Sequence, residues 1–167
     1  MGGHQSAAMK SDVWLTPPHI LAALPPFDLD PCAAPPPRPW ATATRHIALP
    51  ADGLAADWGD SFVWCNPPYS SEARHWLKKM SEHGNGVALV FARTETEWFW
   101  ETVWESPTAS AILFIEGRLH FHHADGTRAR ANAGAPSVLV AYGEHGKTAL
   151  ENRSGLAGRL LPVRRGS

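Results

Sequence analysis

Very little that marks a secreted, membrane-bound or strongly basic protein is present in this 167-residue chain. Cys32 and Cys65 are too few for a disulfide framework and lack zinc-site spacing. Both read as small buried hydrophobes. No window approaches the ~20 consecutive apolar residues that a membrane span needs. The opening MGGHQSAAMKSDVW lacks the apolar core of a secretory signal, so the expected location is the cytoplasm. Charge of one sign is also missing. Lys and Arg total 15 against 16 Asp and Glu, a net charge of −1. Affinity for nucleic acid would therefore have to come from local clustering rather than from a basic chain. Internal repeats and an interdomain linker are absent, and the length suits one domain with a core of its own.

What is present is proline, 15 residues, and tryptophan, eight residues. The prolines punctuate a series of short elements. TPPHILAALPP (residues 16–26) reads as a short helix bounded by proline. FDLD (27–30) is a short strand stopped by Pro31, and RHIAL (45–49) is a second strand. DGLAADWGD (52–60) is loop or short helix, and FVWC (62–65) is a buried strand. SSEARHWLKKMSEHG has a capping serine, an early glutamate and a closing glycine, which together predict a helix. GVALVFA (86–92) is apolar throughout, as expected of a central strand covered on both faces. TETEWFWETVWE predicts a helix, and ASAILFIEG and PSVLVAYG predict two strands. Between them a polar connection carries Asp125-Gly126, a turn signal. The alternation implies an α/β sandwich with a mostly parallel sheet, whose last two strands pair antiparallel. Residues 1–12 are expected to be a flexible N-terminus, 13–145 the domain, and 146–167 a basic flexible tail.

FVWC runs straight into Asn66-Pro67-Pro68-Tyr69. Neither proline offers an N–H to a ladder, so the strand stops and a rigid turn follows. In parallel sheets ligands sit beyond the carboxyl ends of strands, which puts Asp30 and Asn66 on one rim. The turn has a chemical use. An exocyclic amine on an aromatic ring is a poor nucleophile because its lone pair is delocalised. Acceptors for both amine hydrogens help it pyramidalise. Asn66 can supply its side-chain oxygen and Pro67 its main-chain carbonyl, which Pro68 holds fixed, while Tyr69 can stack on the ring. Positioning rather than a strong base would do this. From the composition, a chance NPPY is expected on the order of 4 times in 10,000 such chains.

With NPPY in hand, the chain resembles the phage-type Dam-like DNA N6-adenine methyltransferases. The resemblance rests also on VWLTPPHIL, FDLDPCA, DGLAADW, FARTETEWFW, FIEGRLHF and APSVLVAYG, and runs from about Trp14 to Gly143. It implies a Rossmann-like methyltransferase sandwich, S-adenosylmethionine as cofactor and DNA as substrate, with phage or prophage origin. It also implies roles. Asp30, Pro31, Cys32 and Ala33 would hold the methionine end of the cofactor, with Trp14, Thr16 and Pro17 nearby. Asp52 would take the adenosine portion and Trp58 would wall that pocket. Many methyltransferases of this fold carry a glycine-rich loop after the first strand. Here the residues are DPCAAPPPRP, without glycine, which matches the shortened motif of the phage-type family.

An adenine amine inside a duplex is out of reach, so the base must be flipped out or single-stranded. Arg93, Thr94 and Arg118, at strand ends, are candidate DNA contacts, with Arg128 and Arg130 in the polar connection and the tail arginines (Arg153, Arg159, Arg164, Arg165) as a possible phosphate-seeking arm. Trp98 and Trp100 could stack bases, though at least one should be core. Only short or relaxed specificity is expected, from a monomer or homodimer, because no reader domain is inserted between Asp30 and Asn66. Three other readings fit parts of the sequence. One is an amine methyltransferase acting on RNA, on cytosine N4 or on protein glutamine. Another is a metal protein using His120, His122 and His123, although no metal is expected. The third is a binding protein without catalysis.

Overall fold

The computed structural model describes residues 13–163. Expectations for residues 1–12 and for Arg164 and Arg165 lie outside them. A single seven-stranded sheet forms the centre. In chain order the elements are α1 (Pro18–Ala22), β1 (Leu29–Asp30), β2 (Arg45–His46), β3 (Val63–Cys65), α2 (Ala73–His83) and β4 (Gly86–Phe91). Then follow α3 (Glu97–Phe99), continued by a π-helical turn (Trp100–Trp104), and β5 (Ala109–Ile115), β6 (Ser137–Tyr142), α4 (Gly143–Glu151) and β7 (Gly158–Pro162). The order across the sheet is β2-β1-β3-β4-β6-β5-β7. The first four are mutually parallel, and β6 runs antiparallel to both β4 and β5. The expected antiparallel pairing of the last two predicted strands is therefore present. A further reversed strand, β7, pairs antiparallel with β5 at the edge.

β4 explains why the sheet can be central. Val87 and Leu89 join one apolar cluster, with Ile20, Phe27, Trp64 and Leu150, and Ala88 and Val90 join the other, with Leu77, Met80, Phe99 and Val103. Period-two alternation thus buries a continuous apolar run on both faces. α2 ends where its glycine requires. Gly84 sits at φ 71° and its N–H closes on the Met80 carbonyl, a left-handed cap that a side chain would strain. Its start differs from the capping-serine expectation. The helix opens at Ala73, and Ser70 Oγ accepts the Glu72 N–H at 3.3 Å in the turn before it.

The tail departs most from expectation. Instead of a loose segment from residue 146, α4 packs Ala149 and Leu150 into the core and β7 completes the sheet. Arg153, read as a phosphate-seeking arm, is an internal brace. Its guanidinium donates to the carbonyls of Leu156 (2.7 Å), Leu150 (3.0 Å) and Gly158 (3.3 Å). Three main-chain carbonyls of the α4–β7 turn are thereby satisfied by one side chain.

Between β5 and β6 the polar connection folds back on itself. Main-chain bonds join Ala133 to Leu119, Ala129 to Phe121 and His123 to Thr127, with the turn at Asp125-Gly126 as expected. Asp125 accepts from the N–H and hydroxyl of Thr127, and those bonds hold its carboxyl below the usual range. Leu15 pairs with His122, which ties the start of the domain to this hairpin. No helix among the described residues is long and apolar enough to cross a membrane.

Candidate active site

Strand direction decides where the site lies. The chain leaves β1, β2 and β3 on the same rim, and residues 31–35, 47–49 and 66–70 that follow them wall one cleft of about 770 Å³. This is the crevice beyond the carboxyl ends of parallel strands, and the volume falls in the range of ~300–1,000 Å³ usual for small-molecule sites. Of the residues singled out by sequence, Trp14, Pro31, Cys32, Ala33, Asp52, Asn66, Pro67, Pro68 and Tyr69 all line it.

Asn66 is held by two hydrogen bonds. Its Nδ2 donates to Thr16 Oγ1 at 3.2 Å, and its Oδ1 accepts from the Tyr69 hydroxyl at 3.1 Å. With the amide hydrogens directed at Thr16, the oxygen is turned toward the side on which Tyr69 lies. Tyr69 is 37 % exposed, and its ring stacks on Phe91 (centroids 4.2 Å, 14° apart) and meets Phe121 edge-on at 5.5 Å. Although part of the side chain is exposed, desolvation around the hydroxyl holds it above the usual range, so it stays a proton-bearing donor. Trp14 and Tyr69 also face a second, more apolar cleft of about 680 Å³, lined by Phe91, Phe121, His123 and residues 127–134 of the hairpin. The Asn-Pro-Pro-Tyr turn therefore stands between two cavities that meet at Tyr69.

Several expected contacts occupy other places. Asp30 is 4 % exposed and lies beneath the rim rather than on the cleft wall. Its Oδ1 accepts the Cys32 N–H (3.0 Å) and its Oδ2 the Thr42 hydroxyl (2.5 Å), so the carboxylate shapes the loop above it. Burial pushes its carboxyl up to about 6, against the opposing pull of Thr42, the Cys32 N–H and Arg38. Burial, and then Asp30 and Glu72, keep the Cys32 thiol protonated and raised far above its usual range, which removes it as a nucleophile. Thr16, 3 % exposed, reaches Asn66 rather than the cleft, and Pro17 lies on a different depression. Trp58 is buried. Its Nε1 donates to the Gly53 carbonyl at 2.9 Å and Lys79 Nζ lies 4.6 Å above its ring, so it supports the 52–58 loop from behind. Asp52 lines the cleft, with Oδ1 taken by the N–H groups of Leu54 and Ala55.

Among the proposed DNA contacts, Arg93 is exposed beside Phe91, and the Thr94 carbonyl accepts from Trp104 Nε1 at 3.2 Å. Arg118 is exposed and donates to the Ala133 carbonyl at 3.2 Å. None of the three lines either cleft beside Asn66. Trp98 packs on the core, whereas Trp100 is 51 % exposed. No group of three or more His, Cys, Asp or Glu placed to hold a metal ion occurs among the described residues.

Sequence reasoning missed Gly53, Leu49, Leu54, Glu72 and Trp76, all on the cleft wall. Nothing local in the sequence marks them, and for Gly53 the reason appears only in the fold. This glycine has no room for a side chain, because an ideal Cβ there would sit 1.8 Å from the Pro31 carbonyl oxygen and 2.9 Å from Trp76 Cη2. The two loops that floor the cleft touch at this glycine.

A mixed α/β sheet whose parallel half ends in a cleft, with an amide side chain fixed on the cleft wall, defines the class of α/β protein in which ligands sit beyond the carboxyl ends of the strands. The chain belongs to the DNA N-6-adenine-methyltransferase (Dam) family, whose model matches residues 4–154. It is 28 % identical over 122 residues to the DNA N-6-adenine-methyltransferase of Haemophilus phage HP1 (strain HP1c1), covering 70 % of this chain and 66 % of that protein. The match thus spans just under two thirds of that relative's length. No solved structure matches.

Proposed function

We propose that this chain is an S-adenosylmethionine-dependent DNA adenine-N6 methyltransferase of short or relaxed specificity, built as a Rossmann-like sandwich. The observation that carries this is the fixed Asn66 carboxamide on the wall of the larger cleft, bonded to Tyr69, where the two cavities meet, in a chain of that family. The larger cleft fits the cofactor. Its apolar walls (Ile47, Leu49, Leu54, Trp76) suit a purine, and its carboxylates (Asp52, Glu72) suit hydroxyl and ammonium groups. Trp76 Nε1–H is a buried donor without a protein partner. These residues would hold the cofactor, which supplies a sulfonium-bound methyl group.

The chain's own part is positioning. Asn66 Oδ1 and the Pro67 carbonyl accept the two hydrogens of the adenine amine and draw its lone pair out of the ring. Thr16 keeps the amide oxygen, not the amide nitrogen, toward the amine. The Tyr69 hydroxyl yields its place on Oδ1 to the substrate amine, and its ring leaves Phe91 to pack on the entering base. No strong base is required, since the proton leaves an amine that has already become cationic, and water carries it away. The extruded or single-stranded base would enter through the aromatic cleft.

Incubation with S-adenosylmethionine and unmodified DNA, followed by nucleoside mass spectrometry, tests the proposal. N6-methyladenine is expected, and Asn66→Ala should abolish it while cofactor binding persists. Methylation of cytosine or RNA alone, or near-normal turnover by Asn66→Ala, would refute it.

A further inference from the structure

The hairpin over residues 118–133 also borders a cavity that Tyr69 does not line. This depression of about 500 Å³ opens between the hairpin, α1 and the segment 155–157. Its titratable lining is His19 from α1, then Glu116, Arg118, His120, His122 and Arg128. Five nitrogen bases or cations thus converge around one carboxylate, in a chain whose net charge is −1. None of the assignments made above for the cleft or the Asn66 turn uses this cluster.

We propose that this basin binds a phosphodiester of the DNA strand flanking the target base. It rests on the DNA-methyltransferase reading and adds to it a second anchoring site. Three observations support it. First, the two hairpin histidines are held in one tautomer. His120 Nδ1 lies 3.2 Å from the Ala129 carbonyl and His122 Nδ1 lies 2.9 Å from the Gly126 carbonyl. A carbonyl can only accept, so Nδ1 carries the hydrogen and Nε2 is the atom that gains a proton or meets a ligand. Second, the nitrogen groups of the basin outnumber its one carboxylate, Glu116, and act on one another. Burial, and then repulsion from the neighbouring His122 and Arg128, hold the His19 imidazole below its usual range. A phosphate in the basin would reverse that electrostatic effect and draw in a proton. Third, Arg128 lines both this basin and the aromatic cleft that Tyr69 shares with the larger one. The backbone of a strand whose base enters the aromatic cleft would then have Arg128, and the basin behind it, within reach. Metal binding fits less well, because these histidines do not form a cluster placed to hold an ion.

The test is DNA binding by fluorescence anisotropy over a series of salt concentrations, with a short unmodified duplex and the full chain. His19 and Arg128 are both exposed, so Arg128→Gln alone and with His19→Gln should leave the fold intact, checked by an unchanged Tm. Losing a phosphate contact should weaken binding roughly tenfold and make the plot of log K against log salt shallower by about 1. Glu116→Gln should tighten binding. Lys147→Gln, on α4 at the opposite rim, should change nothing. Unchanged affinity and slope in the double variant would overturn the proposal. So would calorimetric binding of inorganic phosphate that Arg128→Gln removes while DNA affinity stays the same, since the basin would then serve a free anion. Methylation is assayed in parallel. Wild-type protein with a basin-dependent salt slope but no N6-methyladenine would overturn the proposed reaction and uphold the basin.

Discussion

Thr16→Val isolates what holds the acceptor in place. The two side chains are nearly the same shape, and Thr16 is 3 % exposed, so packing is retained while one oxygen is lost. That oxygen accepts from Asn66 Nδ2 at 3.2 Å. Without it the amide N–H loses its partner, and leaving a half-buried donor unsatisfied costs about 1–3 kcal/mol. The carboxamide regains some of this by rotating, which brings Nδ2 rather than Oδ1 toward the substrate amine. If the cost falls on the transition state, turnover drops by roughly 5- to 150-fold at 1.36 kcal/mol per decade. Single-turnover methylation with saturating DNA, beside cofactor binding by calorimetry, reads the two effects separately. The expected result is a slower methyl-transfer step at unchanged cofactor affinity, with Thr16→Ser restoring most of the rate. Weakened cofactor binding with an unchanged rate would place Thr16 at the cofactor, as the sequence resemblance implied, and refute the positioning role.

Three further perturbations probe the cleft. Gly53→Ala drives a methyl group to within 1.8 Å of the Pro31 oxygen, so the two floor loops must part. The cost is about 2–3 kcal/mol, read as a Tm lower by roughly 4–12 °C, with cofactor affinity lost in step; a wild-type Tm would show that the loops are not in contact. Asp30→Asn tests a buried carboxyl raised from 3.8 to about 6. Between those values the native state holds more protons than the unfolded one, so this group's contribution to stability falls as pH rises through that window, by on the order of 3 kcal/mol in all. Asparagine keeps an acceptor for the Cys32 N–H and can donate to the Thr42 hydroxyl. The variant should therefore gain stability relative to wild type from pH 4 to 6.5, and parallel Tm curves would contradict the raised value. Lys79 donates to the carbonyls of Leu54 (2.7 Å) and Ala56 and lies over Trp58. Lys79→Met should loosen the 52–58 wall and raise the cofactor Kd several-fold, with proteolysis reporting the loosened loop.

Much of this site was legible locally. The apolar run before Asn66, the proline pair, Gly84 closing α2 and the Asp125-Gly126 turn each act over a few residues, so spacing and residue type suffice to read them. The tail was misread for the same reason. Arg153 counts as a free charge in a composition, yet three carbonyls brought together by the α4–β7 turn satisfy it. Asp30 was placed on the correct strand end, but whether its carboxylate points into the cleft or beneath it depends on Thr42, twelve residues away, which only the folded loop presents.

The sequence alone determined the chemistry that is available: an amide and a carbonyl on a proline-stiffened turn after a buried strand. Those features follow from missing N–H groups and from period-two burial, which belong to adjacent residues. The tertiary structure decided which way that amide faces and what surrounds it. Thr16 meets Asn66 across fifty residues of chain, and residues 31–35 and 47–49 become one wall only because β1, β2 and β3 lie parallel. Contacts between distant segments are set by strand order and direction, and those emerge only when the whole sheet buries both of its faces together.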